Sequence, residues 1–158
     1  MRKVLTLILL FCIGLLATAF YMEYQMGLEP CPMCIVQRIA IALAGLAAFI
    51  GIIHNNFPKL YFSLTAFFSL SGGASAIRHL YLQSLPPDQI PSCGPDLNYL
   101  IENAYFSDAL VKLFVGDGNC AEVVWSLLGI SIPGWVLICA SAIFLVSLRQ
   151  LKVINPYS

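Results

Sequence analysis

The sequence predicts an all-α membrane protein, a four-transmembrane-helix bundle with one long outer loop. Of its residues, 59% are hydrophobic and 10% are charged, whereas soluble domains have about 45–50% apolar and about 25% charged residues. Four runs with almost no charge approach the roughly 20 residues that cross a bilayer as a helix. The length of 158 residues is usual for one domain. We therefore expect residues 1–158 to form a single integral membrane domain, and the zero net charge gives no indication of a nucleic-acid partner.

Four spans account for these runs. The first has no charge, the second is interrupted only by Arg38, and the third is uncharged until Arg78. The fourth is the shortest, but Trp125 and Trp135 near its start are typical of the aromatic belt at a membrane interface. The predicted spans are 4–22, 35–53, 60–82 and 133–148, and the outer loops are 23–34 and 83–132.

Charge predicts the orientation of the four spans. All eight acidic residues fall in the two outer loops, while basic residues flank the runs on the opposite side: Arg2, Lys3, Lys59, Arg149 and Lys152. Because Lys and Arg in short loops concentrate on the cytoplasmic side, both termini are predicted to be cytoplasmic. The start of the chain has an alternative interpretation, since Arg2-Lys3, an apolar stretch and Ala17-Thr18-Ala19 also resemble a cleavable signal peptide. Cleavage would leave three spans, so we expect the segment to be retained.

The second outer loop begins with prolines that prevent a long helix early on. Apolar residues then recur at helical spacing from Leu97 to Tyr105, and more follow between Leu110 and Phe114. We expect a short amphipathic helix lying on the membrane surface. A helix packed on the loop's own residues fits the same pattern.

Four of the six cysteines lie at or outside the ends of the runs: Cys31, Cys34, Cys93 and Cys120. Four cysteines on one face of a membrane indicate an oxidising compartment, and they allow three pairings. Cys12 and Cys139 lie inside apolar runs and are typical of small buried hydrophobic residues. A structural zinc site usually has two tight Cys pairs, and this chain has one, so we expect no metal.

Cys31-Pro32-Met33-Cys34 has the spacing of thiol–disulfide oxidoreductase motifs, in which two sulfur atoms meet at the first turn of a helix. Helix N-termini and nearby cations favour the reactive thiolate. Arg38 follows Cys34 by four residues, so the two lie on one helix face. No acidic residue lies in any predicted span to pair with Arg38. We therefore expect its charge to face a thiolate or the polar head of a lipid-soluble ligand, although snorkelling to the interface is the structural alternative.

Two further polar residues lie near the outer end of the third span. His79 can donate a hydrogen bond to a quinone carbonyl or shuttle a proton, or it can be a structural interfacial residue. For Arg78 we favour snorkelling. The pair Cys93 and Cys120, 27 positions apart, is either redox-active or forms a structural disulfide that only crosslinks the loop.

The segment Glu29-Pro30-Cys31-Pro32-Met33-Cys34-Ile35-Val36-Gln37-Arg38 resembles the start of the second span in the DsbB family of disulfide-forming membrane proteins. The segment Gly118-Asn119-Cys120-Ala121-Glu122, then Trp125 and Pro133-Gly134-Trp135, is similar to a later part of that family. Four spans, with the Cys-x-x-Cys pair first and the loop pair second, match over nearly the whole chain. Vitamin K epoxide reductases have the loop cysteines first, which disfavours them here.

The resemblance implies an enzyme of the bacterial inner membrane. A reduced, DsbA-like thioredoxin-fold oxidase of the periplasm would attack a Cys93–Cys120 disulfide at Cys93, after which Cys120 engages Cys31. Electrons would leave through Cys34 to a bound quinone, ubiquinone or menaquinone, with Arg38 and His79 lining its site. The non-enzymatic alternative is a small membrane scaffold whose disulfides staple its outer loops.

Overall fold

Four long helices make up most of the computed structural model, which describes residues 1–54, 56–90, 107–108, 111, 116 and 118–154. They are α1 (Arg2–Met26), α2 (Pro32–His54), α3 (Pro58–Gln83) and α4 (Ile132–Ile154). Each is long and apolar enough to cross a bilayer. The predicted four-helix membrane bundle is confirmed.

The helices extend beyond the predicted spans, because the predicted bounds stop at charges and the helices do not. The fourth span illustrates this: α4 continues past Arg149 and Lys152 and, with 23 residues, is as long as α2. The sequence predicted the fourth span to be the shortest, and α4 shares that place with α2. Local chemistry sets several ends. The α1 helix ends where Gly27 takes a left-handed conformation (φ 65°), and Pro58 occupies the first turn of α3, where its missing N–H costs nothing.

The helices pack in chain order. α1 packs against α2, α2 against α3, and α3 against α4, while α1 and α4 hardly contact each other in the described part of the chain. Small residues allow the close approach of α2: Ala44 and Ala48 are fully buried, and Gly45 lies against Cys12 of α1. The bundle is therefore closely packed along three interfaces and more open along the fourth side, between α1 and α4, where Ile143 of α4 still shares a buried core with Leu5 and Ile8 of α1.

The segment between α3 and α4 folds back onto the outer ends of the helices. A short 3₁₀ helix covers Gly118–Cys120, and a hairpin pairs Ser126–Leu127 (β1) with Ile130–Ser131 (β2). The Ser131 hydroxyl donates to Gln83 Oε1 at 2.8 Å, which ties the hairpin to α3. Cys93 and most of the predicted interfacial helix lie outside the described residues.

Candidate active site

The Cys-x-x-Cys pair lies where α2 begins. Cys31 precedes the first helical residue and Cys34 is in the first turn. Their Sγ atoms are 2.9 Å apart, and the Cys34 N–H points at Cys31 Sγ, 3.4 Å away. A disulfide has an S–S length of about 2.05 Å, so closing one requires the sulfur atoms to approach by only about 1 Å. The pair can therefore interconvert between dithiol and disulfide without rebuilding the helix.

Cys120 is placed next to this pair. The sulfur atoms of Cys31 and Cys120 and a ring nitrogen of His79 all lie within 4.8 Å of one another. Cys120 is fully buried, packed with Met33 and Leu82. Two cysteines that are 89 positions apart in sequence are thus close enough for thiol–disulfide exchange after a small movement.

Gly116 lets the chain reach that position. It has φ +81°, and a Cβ there would lie 2.5 Å from Leu82 Cδ1 and 3.0 Å from Met33 Sδ. A side chain would therefore collide with the same two residues that enclose Cys120. Of the residues just before Cys120 that the structure describes, Gly116 and Gly118 are buried and Asn119 is exposed.

His79 is held between Cys31 and Gln37. Its Nε2 lies 3.7 Å from Cys31 Sγ, and its Nδ1 lies 3.3 Å from Gln37 Nε2. Both His79 and Gln37 are buried, at 3% and 2% exposure. With the Gln37 amide donating to Nδ1, the ring carries its hydrogen on Nε2, which faces the Cys31 sulfur. In this tautomer Nε2 can donate a hydrogen bond to a Cys31 thiolate, whereas accepting a proton from a thiol at Nε2 requires the other neutral tautomer, with the hydrogen on Nδ1.

Arg38 has an acidic partner, contrary to the expectation that none lies in a span. Glu23, in the last turns of α1, forms an ion pair with the Arg38 guanidinium. A second guanidinium nitrogen donates to the Ala19 carbonyl at 3.1 Å, and the Phe20 ring centre lies 5.3 Å from Arg38 Cζ. The predicted bound of the first span at residue 22 excluded Glu23, whereas α1 continues to Met26 and carries it into the bundle.

An apolar cavity of about 290 Å³ occupies the open side of the bundle, between α1, α2 and α4. Cys34 and Arg38 line it from α2, Leu15 and Ala19 from α1, and Cys139 from α4. Cys139 was predicted to be a buried hydrophobic residue and is instead part of this wall. Arg38 contributes a charge to a lining that is otherwise mostly apolar. Such a cavity suits a hydrophobic ligand with a polar end.

A second, smaller pocket of about 40 Å³ adjoins the cavity and contains Cys31 and His79. Cys34 lines both. Cys34 therefore lies between the thiol cluster on one side and the apolar cavity on the other. His79, expected beside Arg38 in a ligand site, lies on the thiol side and does not line the larger cavity.

The structure thus groups Cys31, Cys34, Cys120 and His79. Arg38 lies on the other side of Cys34, in the wall of the larger cavity. Sequence reasoning assigned no role to Glu23 or Gln37. The signal for Glu23 was present: α1 and α2 are consecutive and antiparallel, so an acid near the end of one meets a base near the start of the next. Nothing in the sequence marked Gln37 as the partner of a histidine 42 positions away.

Fold and site together define a multi-pass membrane thiol–disulfide oxidoreductase. Comparison with known sequences gives the particular family. Residues 1–150 match the family model for Disulfide bond formation protein DsbB. The chain belongs to the DsbB family and is a membrane thiol oxidase that generates disulfides.

Relatives support this assignment over most of their length. The Disulfide bond formation protein B of Saccharophagus degradans is 44% identical over 94% of this chain and 92% of its own length. That of Hahella chejuensis is 47% identical over 87% of this chain and 85% of its own length. That of Marinobacter nauticus is 43% identical over 93% of this chain and 89% of its own length.

Proposed function

We propose that this protein reoxidises a periplasmic, DsbA-like thioredoxin-fold oxidase and passes the electrons to a membrane quinone. One observation carries the proposal: Cys34 lines both the pocket that contains Cys31 and His79 and the apolar cavity that contains Arg38. Glu29, Val124, Trp125 and Ile132 also line both, and Cys34 is the redox-competent side chain among these shared residues. On this proposal both termini are cytoplasmic, and the cysteines face the periplasm of the bacterial inner membrane.

The thiol steps balance as two consecutive exchanges. A partner thiolate attacks a Cys93–Cys120 disulfide at Cys93, and the second partner thiol displaces Cys93, which leaves the partner oxidised. Cys120 then attacks Cys31 of the Cys31–Cys34 disulfide and releases Cys34. Cys93 then attacks Cys120 of the Cys31–Cys120 disulfide and releases Cys31. This restores Cys93–Cys120 and leaves Cys31 and Cys34 as a dithiol. Two electrons and two protons have moved from the partner to the inner pair.

In this series of exchanges, the distances support Cys31 as the sulfur that pairs in turn with Cys34 and with Cys120. It lies 2.9 Å from Cys34 Sγ and within 4.8 Å of Cys120 Sγ. His79 Nε2, 3.7 Å from Cys31 Sγ, is placed to donate a hydrogen bond that stabilises Cys31 when it leaves as a thiolate.

The residues that line the cavity fit a quinone. Its wall is mostly apolar, as a quinone's tail requires, and Arg38 offers hydrogen-bond donors for a carbonyl oxygen. A quinone would supply a two-electron, two-proton acceptor for the Cys31–Cys34 dithiol. Glu23 and Ala19 hold the guanidinium at the cavity wall, and Cys34 is the member of the Cys31–Cys34 pair that lines that cavity.

The test is to trap free thiols in protein reconstituted with and without quinone, in the presence of the reduced partner. We expect Cys31 and Cys34 to accumulate as thiols when quinone is withheld and to become oxidised when it is added, while quinone absorbance falls. If Cys31 and Cys34 stay oxidised without quinone, the pair is a structural staple of a scaffold and the proposal is wrong.

A Cys34→Ser variant isolates the role of Cys34. Because this variant has no Cys31–Cys34 disulfide for Cys120 to attack, we expect no quinone reduction, and Cys93 and Cys120 should remain thiols after one exchange with the reduced partner, as identified by alkylation and peptide mapping. Persistent turnover in this variant would contradict the assignment. As a control, Cys12→Ser changes a buried sulfur outside the site and should leave turnover intact.

A further inference from the structure

The hairpin that precedes α4 carries an exposed apolar surface, and only part of it, Val124 and Leu127, also lines the cavity of the active site. The chain has no charged residue between Glu122 and Arg149, so the uncharged stretch begins nine residues before α4 does. In the hairpin segment, 123–131, large apolar side chains are strongly exposed: Val123 at 55%, Val124 at 57%, Leu127 at 49% and Leu128 at 85%.

Leu128 occupies an unfavourable backbone conformation at the tip. Leu128 and Gly129 both have positive φ, 55° and 78°, between two strands joined by a two-residue loop. Such turns strongly favour Asn, Asp or Gly at the first of these positions, because other residues pay a steric cost. At 85% exposure the Leu128 side chain contributes almost nothing to the packing of the hairpin itself. Its apolar character at this position indicates a contact outside the protein.

The position of the hairpin beside α4 indicates what Leu128 contacts outside the protein. Trp135, in the first turn of α4, donates its indole N–H to the Leu127 carbonyl at 3.3 Å. The hairpin therefore lies beside the first turn of a membrane-spanning helix and does not project away from its end. Its paired residues, Ser126 with Ser131 and Leu127 with Ile130, satisfy backbone groups that lipid cannot. The exposed apolar side chains of the hairpin thus lie beside the start of α4, a helix that itself exposes Ile138, Leu145, Val146 and Val153.

We propose that the 123–131 hairpin is a membrane anchor, inserted into the boundary between lipid headgroups and acyl chains, with Leu128 as its deepest side chain. The occupant of this surface is phospholipid. The anchor fixes the segment that follows Cys120, only three residues upstream, and holds Val124, Trp125 and Leu127 over the edge of the cavity. The lipid contact does not depend on which electron acceptor the protein uses.

The direct test is photocrosslinking of the full chain in phosphatidylcholine–phosphatidylglycerol nanodiscs, with p-benzoylphenylalanine at position 128. We expect intact-protein mass spectra to show a phospholipid adduct at a yield similar to that at position 145, since Leu145 is 63% exposed in the middle of α4. Position 89, an exposed polar site in the 3₁₀ helix Pro87–Gln89, is the comparison at the same end of the bundle. Its yield should be lower by about tenfold. Adducts at 128 no more frequent than at 89, or adducts to a protein partner instead of lipid, would overturn the proposal.

A pair of variants separates anchoring from turn formation. Asn adopts positive φ more readily than Leu, so Leu128→Asn improves the turn while it removes the apolar side chain. If Leu128 serves only the hairpin, amide hydrogen exchange of residues 123–131 in nanodiscs should stay the same or slow down. Anchoring predicts that Leu128→Asn accelerates this exchange by about tenfold, since burial of a Leu side chain is lost. Leu128→Met should keep the protection of the original chain.

Discussion

At the scale of single residues, Arg38 shows how a membrane protein keeps a charge inside a helix bundle. A cation within a span costs at least about 2.5–3.5 kcal/mol when it is unpaired at the bilayer centre. Here the guanidinium meets a carboxylate, a backbone carbonyl and an aromatic face at once. These contacts use its planar, multidentate shape, which an ammonium group lacks.

Arg38→Lys should therefore impair the site although the charge is kept. A lysine cannot reach Glu23, the Ala19 carbonyl and the cavity together, so we expect KM for quinone to rise about tenfold with a smaller change in kcat. Steady-state quinone reduction in nanodiscs measures both constants. Glu23→Gln keeps a hydrogen-bond acceptor for Arg38 and should give a smaller increase in KM than Glu23→Ala. Equal effects of the two Glu23 variants would argue against a positioning role for this carboxylate.

His79 is expected to act on the thiol exchange. Because its ring touches Cys31 and does not line the large cavity, His79→Ala should slow electron transfer from Cys120 to the Cys31–Cys34 pair by about 10²-fold. Rapid acid quenching and thiol alkylation after mixing with reduced partner would measure this rate. KM for quinone should be unchanged. A raised KM with normal thiol exchange would instead support the role in quinone binding that the sequence predicted.

At the scale of secondary structure, close helix packing depends on glycines of α2. A Cβ on Gly51 would lie 2.9 Å from Tyr61 Cβ in α3 and 3.1 Å from Leu5 Cδ1 in α1. Gly51→Ala should thus force α2 away from two neighbours and lower the free energy of unfolding by about 1–3 kcal/mol. Denaturation by SDS in mixed micelles, followed by circular dichroism, measures the loss.

Gly14→Ala is the matched control, because a Cβ there has no atom within 4 Å. This variant should be neutral or should stabilise the protein by up to about 1 kcal/mol, through the helix propensity of alanine. If both variants behave alike, close packing at Gly51 is not what holds α2 in place.

Helices were easier to predict than their contacts. Long apolar runs predict membrane-spanning helices because the bilayer demands internal hydrogen bonding, a constraint that acts within each segment. Cys31 and Cys34 were found because their chemistry is local to one helical turn. The approach of Cys120 to Cys31, the ion pair of Glu23 with Arg38 and the contact of Gln37 with His79 all depend on how separate segments pack. Side-chain patterns along one segment do not specify such contacts, and the resemblance to a family supplied only the first of them.

At the scale of the whole molecule, the packing order leaves an opening towards the membrane. The cavity is lined by α1, α2 and α4, and α1 and α4 have few backbone contacts with each other. On the proposed function, quinone would enter this cavity from the bilayer. The partner would instead approach the thiols at the outer ends of the helices.

Filling the cavity should impair the reaction with quinone and leave the exchange with the partner intact. Cys139 lines the cavity wall from α4, and Cys139→Phe should occupy enough of it to raise KM for quinone at least about tenfold. Exchange with the reduced partner in a single turnover should be unaffected. Ile138→Phe, on the exposed side of the same helix, adds a similar ring where lipid accommodates it and should leave both reactions normal. Loss of partner exchange in Cys139→Phe would show that the cavity and the thiol cluster are not separable.

The position of Cys31 has a consequence for the order of events. One sulfur atom lies next to both Cys34 and Cys120, and it can form only one disulfide at a time. Cys31 therefore has to alternate between a disulfide with Cys34 and a disulfide with Cys120. We expect the reactions with partner and quinone to follow in turn, so steady-state kinetics should follow a ping-pong scheme, with parallel double-reciprocal plots when partner and quinone are varied together. Intersecting plots would mean that both are bound at once, the partner at Cys93 and the quinone beside Cys34.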